Sequence, residues 1–411
     1  QKEILSTSEY EGIRTALKAL YSHWELGQFI LKTELEDVHM NVEHAVTTMT
    51  SCGKKMHTAR SRNDQVLLDM RLYMRDQVLF LLPLLSALSE SFAKLSKKDG
   101  AFVAYTHTRV AQPITISFWC SSWVKSFKRD SERLCDSYKR VNQNPLGACA
   151  VAGTSWNIDR SETARFLAFS GVQENELDTI TSRGECEVEL LSVLSIIMCK
   201  LSRLSEELIW LSEKGLVEIS EEYTTGSSIM PNKKNPDVLE LIRGRTGRVY
   251  GNLTHSLTTL KGLISGYHSD MQETKFAIMS GFSTTNSSLK AMAMVVSGLK
   301  FNKEAIEHEL DLGFAQATEI ADYLASCQVP FREAHEKSGT LVRFCEKEGK
   351  LISQLDQTAA EKILDIKLSG KWGTLKSFER VRLKRVVRID PSTTVFVKKE
   401  TEKIKKAYSS L

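Results

Sequence analysis

Proline is scarce in this sequence, at 7 in 411 residues, and glycine stands at only 22. Turn-rich β-architectures need more of both, so the shortage favours long helices. No uninterrupted apolar run reaches the ~18 residues that a membrane-spanning helix requires, so neither a span nor a membrane partner is expected. No secretory leader opens the chain, and Gln1 in place of an initiating Met predicts a natural start further upstream. The eight cysteines (Cys52, Cys120, Cys135, Cys149, Cys186, Cys199, Cys327 and Cys345) form no C-x-x-C pair and no cluster with histidine. That spacing argues against a zinc site or a disulfide framework and for scattered thiols in a reducing cytoplasm.

Strong charge of one sign is also lacking overall, at a net +4. The last stretch departs from this: residues 361–411 hold 14 Lys and Arg against 6 Asp and Glu, densest over 379–388. A nucleic-acid groove would interleave aromatics with its cations. Trp372, Phe378, Phe396 and Tyr408 follow no such pattern, so the tail reads as a solvated face and no nucleic-acid partner is expected.

What is present in quantity is hydrophobic residue, 42% of the chain, enough for a sizeable core. Helical spacing runs through residues 8–33 and continues over 34–46. Residues 51–65 read as a loop. A very long apolar-periodic segment covers 66–97, with Pro83 expected to kink it. Residues 97–113 read as another loop, 114–141 as helix, and 144–160 as a small-residue loop where backbone can approach a ligand closely. Residues 186–214 carry apolar side chains at 190, 194, 197, 201, 204, 208 and 211; the segment after Pro236 carries them at 239, 242, 249, 253, 257 and 260. Such lengths point to a helix bundle. Strand alternation is absent apart from a short extended piece expected at 387–397. The fold expected is all-α, in three domains: 1–60, a central long-helix bundle over 61–310, and 311–411 with the basic tail.

The chemistry concentrates in TTGSSIMPNKKNPDVLELIRG, residues 224–244. Asn235 reads as an N-cap and Pro236 as the first helical residue. A helix start presents free N–H groups and partial positive charge, and Lys233 and Lys234 stand beside it, so the ensemble suits a carboxylate or phosphate. Gly226-Ser227-Ser228 has the freedom to close over what is bound. A capped, solvated loop would account for Asn235-Pro236 alone, but capping does not require Gly-Ser-Ser-Ile-Met-Pro-x-Lys-x-Asn-Pro.

That complete string resembles the signature of the fumarase/aspartase superfamily, whose members release fumarate from succinyl-type substrates or add to it. A second string, HTARSRNDQV at 57–66, resembles the argininosuccinate lyase branch, and EDVHMNVE (36–43), YTHTRVAQP (105–113) and LKGLISGYHSDMQETK (260–275) follow in matching order. The resemblance implies elimination of argininosuccinate to arginine and fumarate, as in arginine biosynthesis and the urea cycle, with Ser227 as base. Lys233 and Asn235 would hold the carboxylate that gains charge. His107, paired with Glu240, would be a proton donor, with Thr106 beside it. Arg62 and Asn63 would form a third patch for a carboxylate or amide, and Tyr267, Gln272 and Lys275 would grip the amino-acid end of the substrate. His39 lies near the site in the family, or packs. No metal or organic cofactor is implied. The family is homotetrameric, with a core of about twenty helices and each active site drawn from three chains.

The sequence departs from the family pattern at several points. Ala148 and Cys149 stand where Ser-Gly is common, Ser269 where a cation is common, and about fifty N-terminal residues expected from the family are missing. Two other readings share the 224–236 loop: a sister lyase acting on adenylosuccinate or aspartate, which should not carry HTARSRNDQV, and a catalytically weak crystallin-like structural homologue.

Overall fold

The computed structural model describes residues 4–98, 100–378 and 388–409. Helix α1 (Thr7–Glu25) and α2 (Val38–Met49) form a small N-terminal pair around Ile13, Ala16, Leu20 and Val46. The helical pattern seen through residue 33 stops at Glu25. Gly27 turns left-handed at φ 67°, and the Gln28 N–H reaches back to His23 O at 2.8 Å, which closes the helix.

The central bundle begins with α3 (Arg62–Leu95). It runs through Pro83, whose ring lies on the exposed side while Leu81, Leu82 and Leu85 are fully buried around it. By length and composition α3 would suffice to cross a membrane, yet half of its apolar window is buried inside the protein. The strands β1 (Ala101–Thr106) and β2 (Arg109–Thr115) follow as an antiparallel hairpin, and α4 (Ile116–Val141) returns along α3. Phe92 of α3 meets Trp119, Trp123 and Phe127 of α4, with ring centroids 5.5, 6.3 and 6.2 Å away. Such contacts contribute beyond area burial.

The hairpin corrects the loop expected over 97–113. Its buried Phe102 and Val103 anchor the first strand, whereas Pro113 in the second strand obscured the pattern.

Short β3 (Gln143–Asn144) and β4 (Gly171–Val172) pair in parallel around α5 (Arg160–Phe166), and α6 (Glu176–Thr181) leads into α7 (Glu185–Glu213). Then come β5 (Val217–Glu218), β6 (Thr225–Gly226) and β7 (Lys234–Asn235), followed by α8 (Asp237–Leu260), α9 (Glu273–Gly298), β8 (Lys300–Phe301) and α10 (Lys303–Leu312). α7, α8 and α9 complete the bundle with α3 and α4. The packing of α9 on α7 is close enough that a Cβ on Gly281 would lie 2.7 Å from Leu191 Cδ2.

A separate apolar cluster joins α11 (Ala317–Ser326), α12 (Phe331–Glu348), α13 (Gln357–Leu364) and α14 (Trp372–Leu375) around Leu341, Leu364 and Trp372. The last helix among the described residues is α15 (Ser392–Tyr408). This overturns the extended piece expected at 387–397 for the described residues from 392 on: Phe396 and Val397 pack on the central core, and that burial overrides the weak helix propensity of Thr and Val. Of the densest basic stretch, 379–387 lies outside the described residues.

Candidate active site

Four segments carry the residues singled out in the sequence. The first is the start of α3. Ser61 caps it: its Oγ accepts from Asn63 N at 3.2 Å, and Asp64 Oδ1 accepts from Ser61 N at 3.0 Å. Asp64 is fully buried, and its other oxygen accepts from Gly147 N (2.8 Å) and Cys149 N (2.9 Å). One carboxylate thus fixes the small-residue loop to the head of the longest helix. Arg71 and Arg75 hold the segment leading into that loop, through Arg140 O (2.6 Å) and Asn142 Oδ1 (3.1 Å). Asn63 Nδ2 donates to Ala150 O at 3.3 Å, and Arg62 Nε pairs with Asp37 Oδ2 at 2.9 Å.

His39 joins this patch, its Nε2 2.6 Å from Asp69 Oδ2. Desolvation by the surrounding protein pushes the Asp69 carboxyl up to about 6, against the pull of Arg62, with Asp37 adding to the rise and Lys275 opposing it. Because 52% of that side chain stays open to water, the effect on stability is a shallow one. A raised carboxyl means that the folded chain keeps this proton to higher pH than the unfolded chain does. The contribution of Asp69 to stability therefore falls as pH climbs from 3.8 toward about 6 and stays low above it. Asp69→Asn is expected to remove that fall, so that the Tm at about pH 7.5 minus the Tm at about pH 4 is more positive in the variant than in the parent. An unchanged difference would contradict it.

The second segment precedes α9. Gln272 Nε2 donates to the Tyr267 hydroxyl at 3.1 Å, and Lys275 Nζ donates to Gln272 Oε1 at 3.4 Å. The buried Arg183 guanidinium lies 5.0 Å from the Tyr267 ring centroid, and desolvation pulls its pKa down. The charge of Lys275 acts on Asp69, which places the patch of His39, Arg62 and Asn63 in the neighbourhood of Tyr267, Gln272 and Lys275. Asp37, Asp64, Asp69 and Arg183 were not singled out in the sequence. Asp64 had a readable signal in the Ser61-x-x-Asp64 capping box, and Asp37 had one as the N-cap of α2, where its carboxylate accepts from Met40 N at 2.8 Å; Asp69 and Arg183 had none.

The third segment is the hairpin tip, where Thr106 and His107 are exposed. The fourth is the loop between β6 and β7. These strands pair antiparallel, Thr225 with Asn235 and Gly226 with Lys234, and close residues 227–233 into a loop. Side chains secure its base: Thr225 donates to Asp237, and Lys234 pairs with Glu221. Asn235 therefore belongs to β7 and is not the helix cap. Pro236 takes the cap position, without a side-chain cap bond, and its carbonyl accepts from Leu239 N and Glu240 N. Ser227 Oγ accepts two backbone N–H bonds, from Ile229 (3.3 Å) and Met230 (3.1 Å). Two donors aimed at one hydroxyl oxygen are the local arrangement that would stabilise negative charge on it. Lys233 and Glu240 are exposed. Glu240 sits 4.0 Å from Arg243, and among the described residues no hydrogen bond or ion pair joins it to His107 within the chain. The single chain thus brings the Arg62 and Tyr267 segments into one neighbourhood and keeps the hairpin tip and the Ser227 loop as separate, open elements.

A family described as lyase matches residues 1–251, and one described as argininosuccinate lyase C-terminal matches residues 314–382. The argininosuccinate lyase of Ruminiclostridium cellulolyticum is 43% identical over 86% of this chain and 78% of its own length. That of Thermus thermophilus is 44% identical over 86% and 78%. Among solved structures, EDDS lyase in complex with formate superposes with a TM-score of 0.88 at 24% identity, covering 100% of this chain and 86% of its own, a likeness of fold. With the lyase match covering more than half the chain and such identity sustained over most of it, the chain belongs to the argininosuccinate lyase family.

Proposed function

We propose that the protein catalyses the reversible elimination of argininosuccinate to arginine and fumarate, the last step of arginine biosynthesis. The observation that carries this reading is the Ser227 loop, a hydroxyl held by two N–H donors on a loop that also carries the exposed Lys233, in a chain of this family. The reaction removes a proton from the carbon next to a carboxylate. A second negative charge then builds on that carboxylate, and the resulting aci-carboxylate needs nearby cations and donors to persist. Ser227, as alkoxide, takes the proton; Lys233 and Asn235 hold the doubly charged group; His107 returns a proton to the departing guanidinium nitrogen. The surface of Arg62, Asn63, Tyr267, Gln272 and Lys275 binds the remainder of the substrate.

This reading requires more than one chain, and we extend it to a cytoplasmic homotetramer. The bundle helices leave large apolar side chains open: Leu241, Tyr250 and Leu257 on α8, and Phe276 (76% exposed), Met279 and Met294 on α9. Exposed apolar faces of this extent suit burial against other copies. Such assembly would bring Glu240 of one copy to His107 of another and close the Ser227 loop over a neighbouring patch. No membrane or nucleic-acid partner is part of the proposal.

The purified protein, mixed with argininosuccinate, should produce fumarate, followed by its ultraviolet absorbance, and should sediment as four chains. Adenylosuccinate and aspartate should give none. Fumarate from adenylosuccinate alone would reassign the substrate.

A further inference from the structure

The strand hairpin that presents His107 is an improbable piece of backbone. His107 and Thr108 are the two connecting residues, with φ of 53° and 61°. Both therefore occupy the left-handed region of a two-residue turn that ordinarily takes Asn-Gly. A β-branched threonine is strained in that conformation. The ladder also slips here: Ala104 faces Gln112 but Tyr105 faces Val110, so Ala111 bulges out of the second strand three residues after Thr108. A two-stranded ribbon has little stability of its own. The pairing alone therefore does not hold these irregularities in place.

Deep in the hairpin the anchor is apolar: the Phe102 ring meets Trp119 at 5.4 Å and Phe301 at 5.5 Å. Near the tip the anchors are Tyr105 and Val110, and both face α10 or the turn after it. The Tyr105 hydroxyl donates to Glu309 Oε1 at 3.2 Å, and Lys214 Nζ from the end of α7 donates to the same oxygen at 2.5 Å. The Tyr105 ring stands edge-on to Trp210 at 4.5 Å, and Lys214 Nζ lies 5.2 Å from the Trp210 ring and 5.9 Å from that of Tyr105. Val110 fills the space beside Gly313, where a Cβ would come within 2.4 Å of it. The bulge and the strained turn are thus bracketed from behind by one carboxylate, one ammonium and two rings.

The geometry points to Glu309 as a positioning residue for the proton-donating step: with Lys214 it clamps Tyr105 and so fixes where the His107 imidazole stands. This inference rests on the proposed role of His107, and Glu309 itself touches no substrate. Glu309→Gln keeps the size of the side chain but loses the charge that holds Lys214. Because misplacement of a reacting group by an ångström can cost up to about 10²-fold, kcat for argininosuccinate should fall roughly 10- to 100-fold with KM within about twofold. Tyr105→Phe, which deletes one hydroxyl, should act in the same direction and carries the test should Glu309→Gln fail to fold.

The decisive comparison is made in the tetramer carrying His107→Asn. There Glu309→Gln should cause no further loss of kcat, since the group it positions is gone. An equal fractional loss in both backgrounds would make Glu309 merely structural and overturn the inference. If His107→Asn alone leaves kcat intact, the role of His107 falls, and the inference falls with it; that failure is visible in the single variant.

Discussion

Ser227→Ala should lower kcat by roughly 10²–10⁴-fold, the range for loss of the general base that the proposed mechanism assigns to it, while KM for argininosuccinate should change by only a few fold. The reason lies in where the hydroxyl sits. Its oxygen accepts from Ile229 N and Met230 N, so its charge would be stabilised by donors already in place. Alanine leaves both N–H groups without their acceptor and removes the only atom of that side chain able to take a proton. Lys233→Ala should follow with a loss of roughly 10²–10³-fold in kcat, because the proposed mechanism uses this cation only once charge has developed. Steady-state kinetics of both variants, with the assembly state of each compared with the parent by sedimentation, measure this. A rise in KM at unchanged kcat would make the loop a binding element and leave the base to be found elsewhere.

Asp64→Ala should be the most destabilising polar substitution at the site, by about 3–5 kcal/mol. Three backbone donors, Ser61 N, Gly147 N and Cys149 N, converge on this one buried carboxylate. Two of them belong to a loop that lacks regular structure, so no strand or helix stands ready to take them over. Each buried orphan costs about 1–3 kcal/mol. The loop should loosen, and with it the contact of Asn63 to Ala150 O. Asp64→Asn, which retains one acceptor oxygen, should fall between. The urea midpoint and Tm read the effect, and a loss below about 1 kcal/mol for the alanine variant would contradict the account.

Much of the helical frame was legible in the sequence because α3, α4, α7 and α8 repeat their apolar residues at 3–4 spacing over many turns, and burial follows that spacing. The lyase chemistry was legible because the Ser227 loop and the Arg62 segment are continuous strings. The hairpin was not, since its turn is His-Thr instead of a glycine-bearing pair and its second strand holds Pro113. The cap of α8 was misplaced by one residue: Asn235 is drawn into pairing with Thr225, which a reading of local preference does not see. Asp69 and Arg183 were invisible because their partners, His39 and Tyr267, are distant in the chain. The His107–Glu240 pairing is in a different class. The resemblance implied it, but a single chain does not make it.

The last helix changes how the C-terminus should be regarded. α15, 17 residues long, lies back across α3 and α4, with Phe396 edge-on to Tyr138 at 5.4 Å, Glu400 accepting from the Tyr138 hydroxyl at 3.3 Å, and Asp390 just before it paired with Lys128 at 2.7 Å. A stop codon placed late in the gene would therefore not simply trim a charged tail. It would peel a strap from the main bundle and bare the greasy flank beneath Tyr138, so the shortened product should clump although every residue proposed to meet substrate survives.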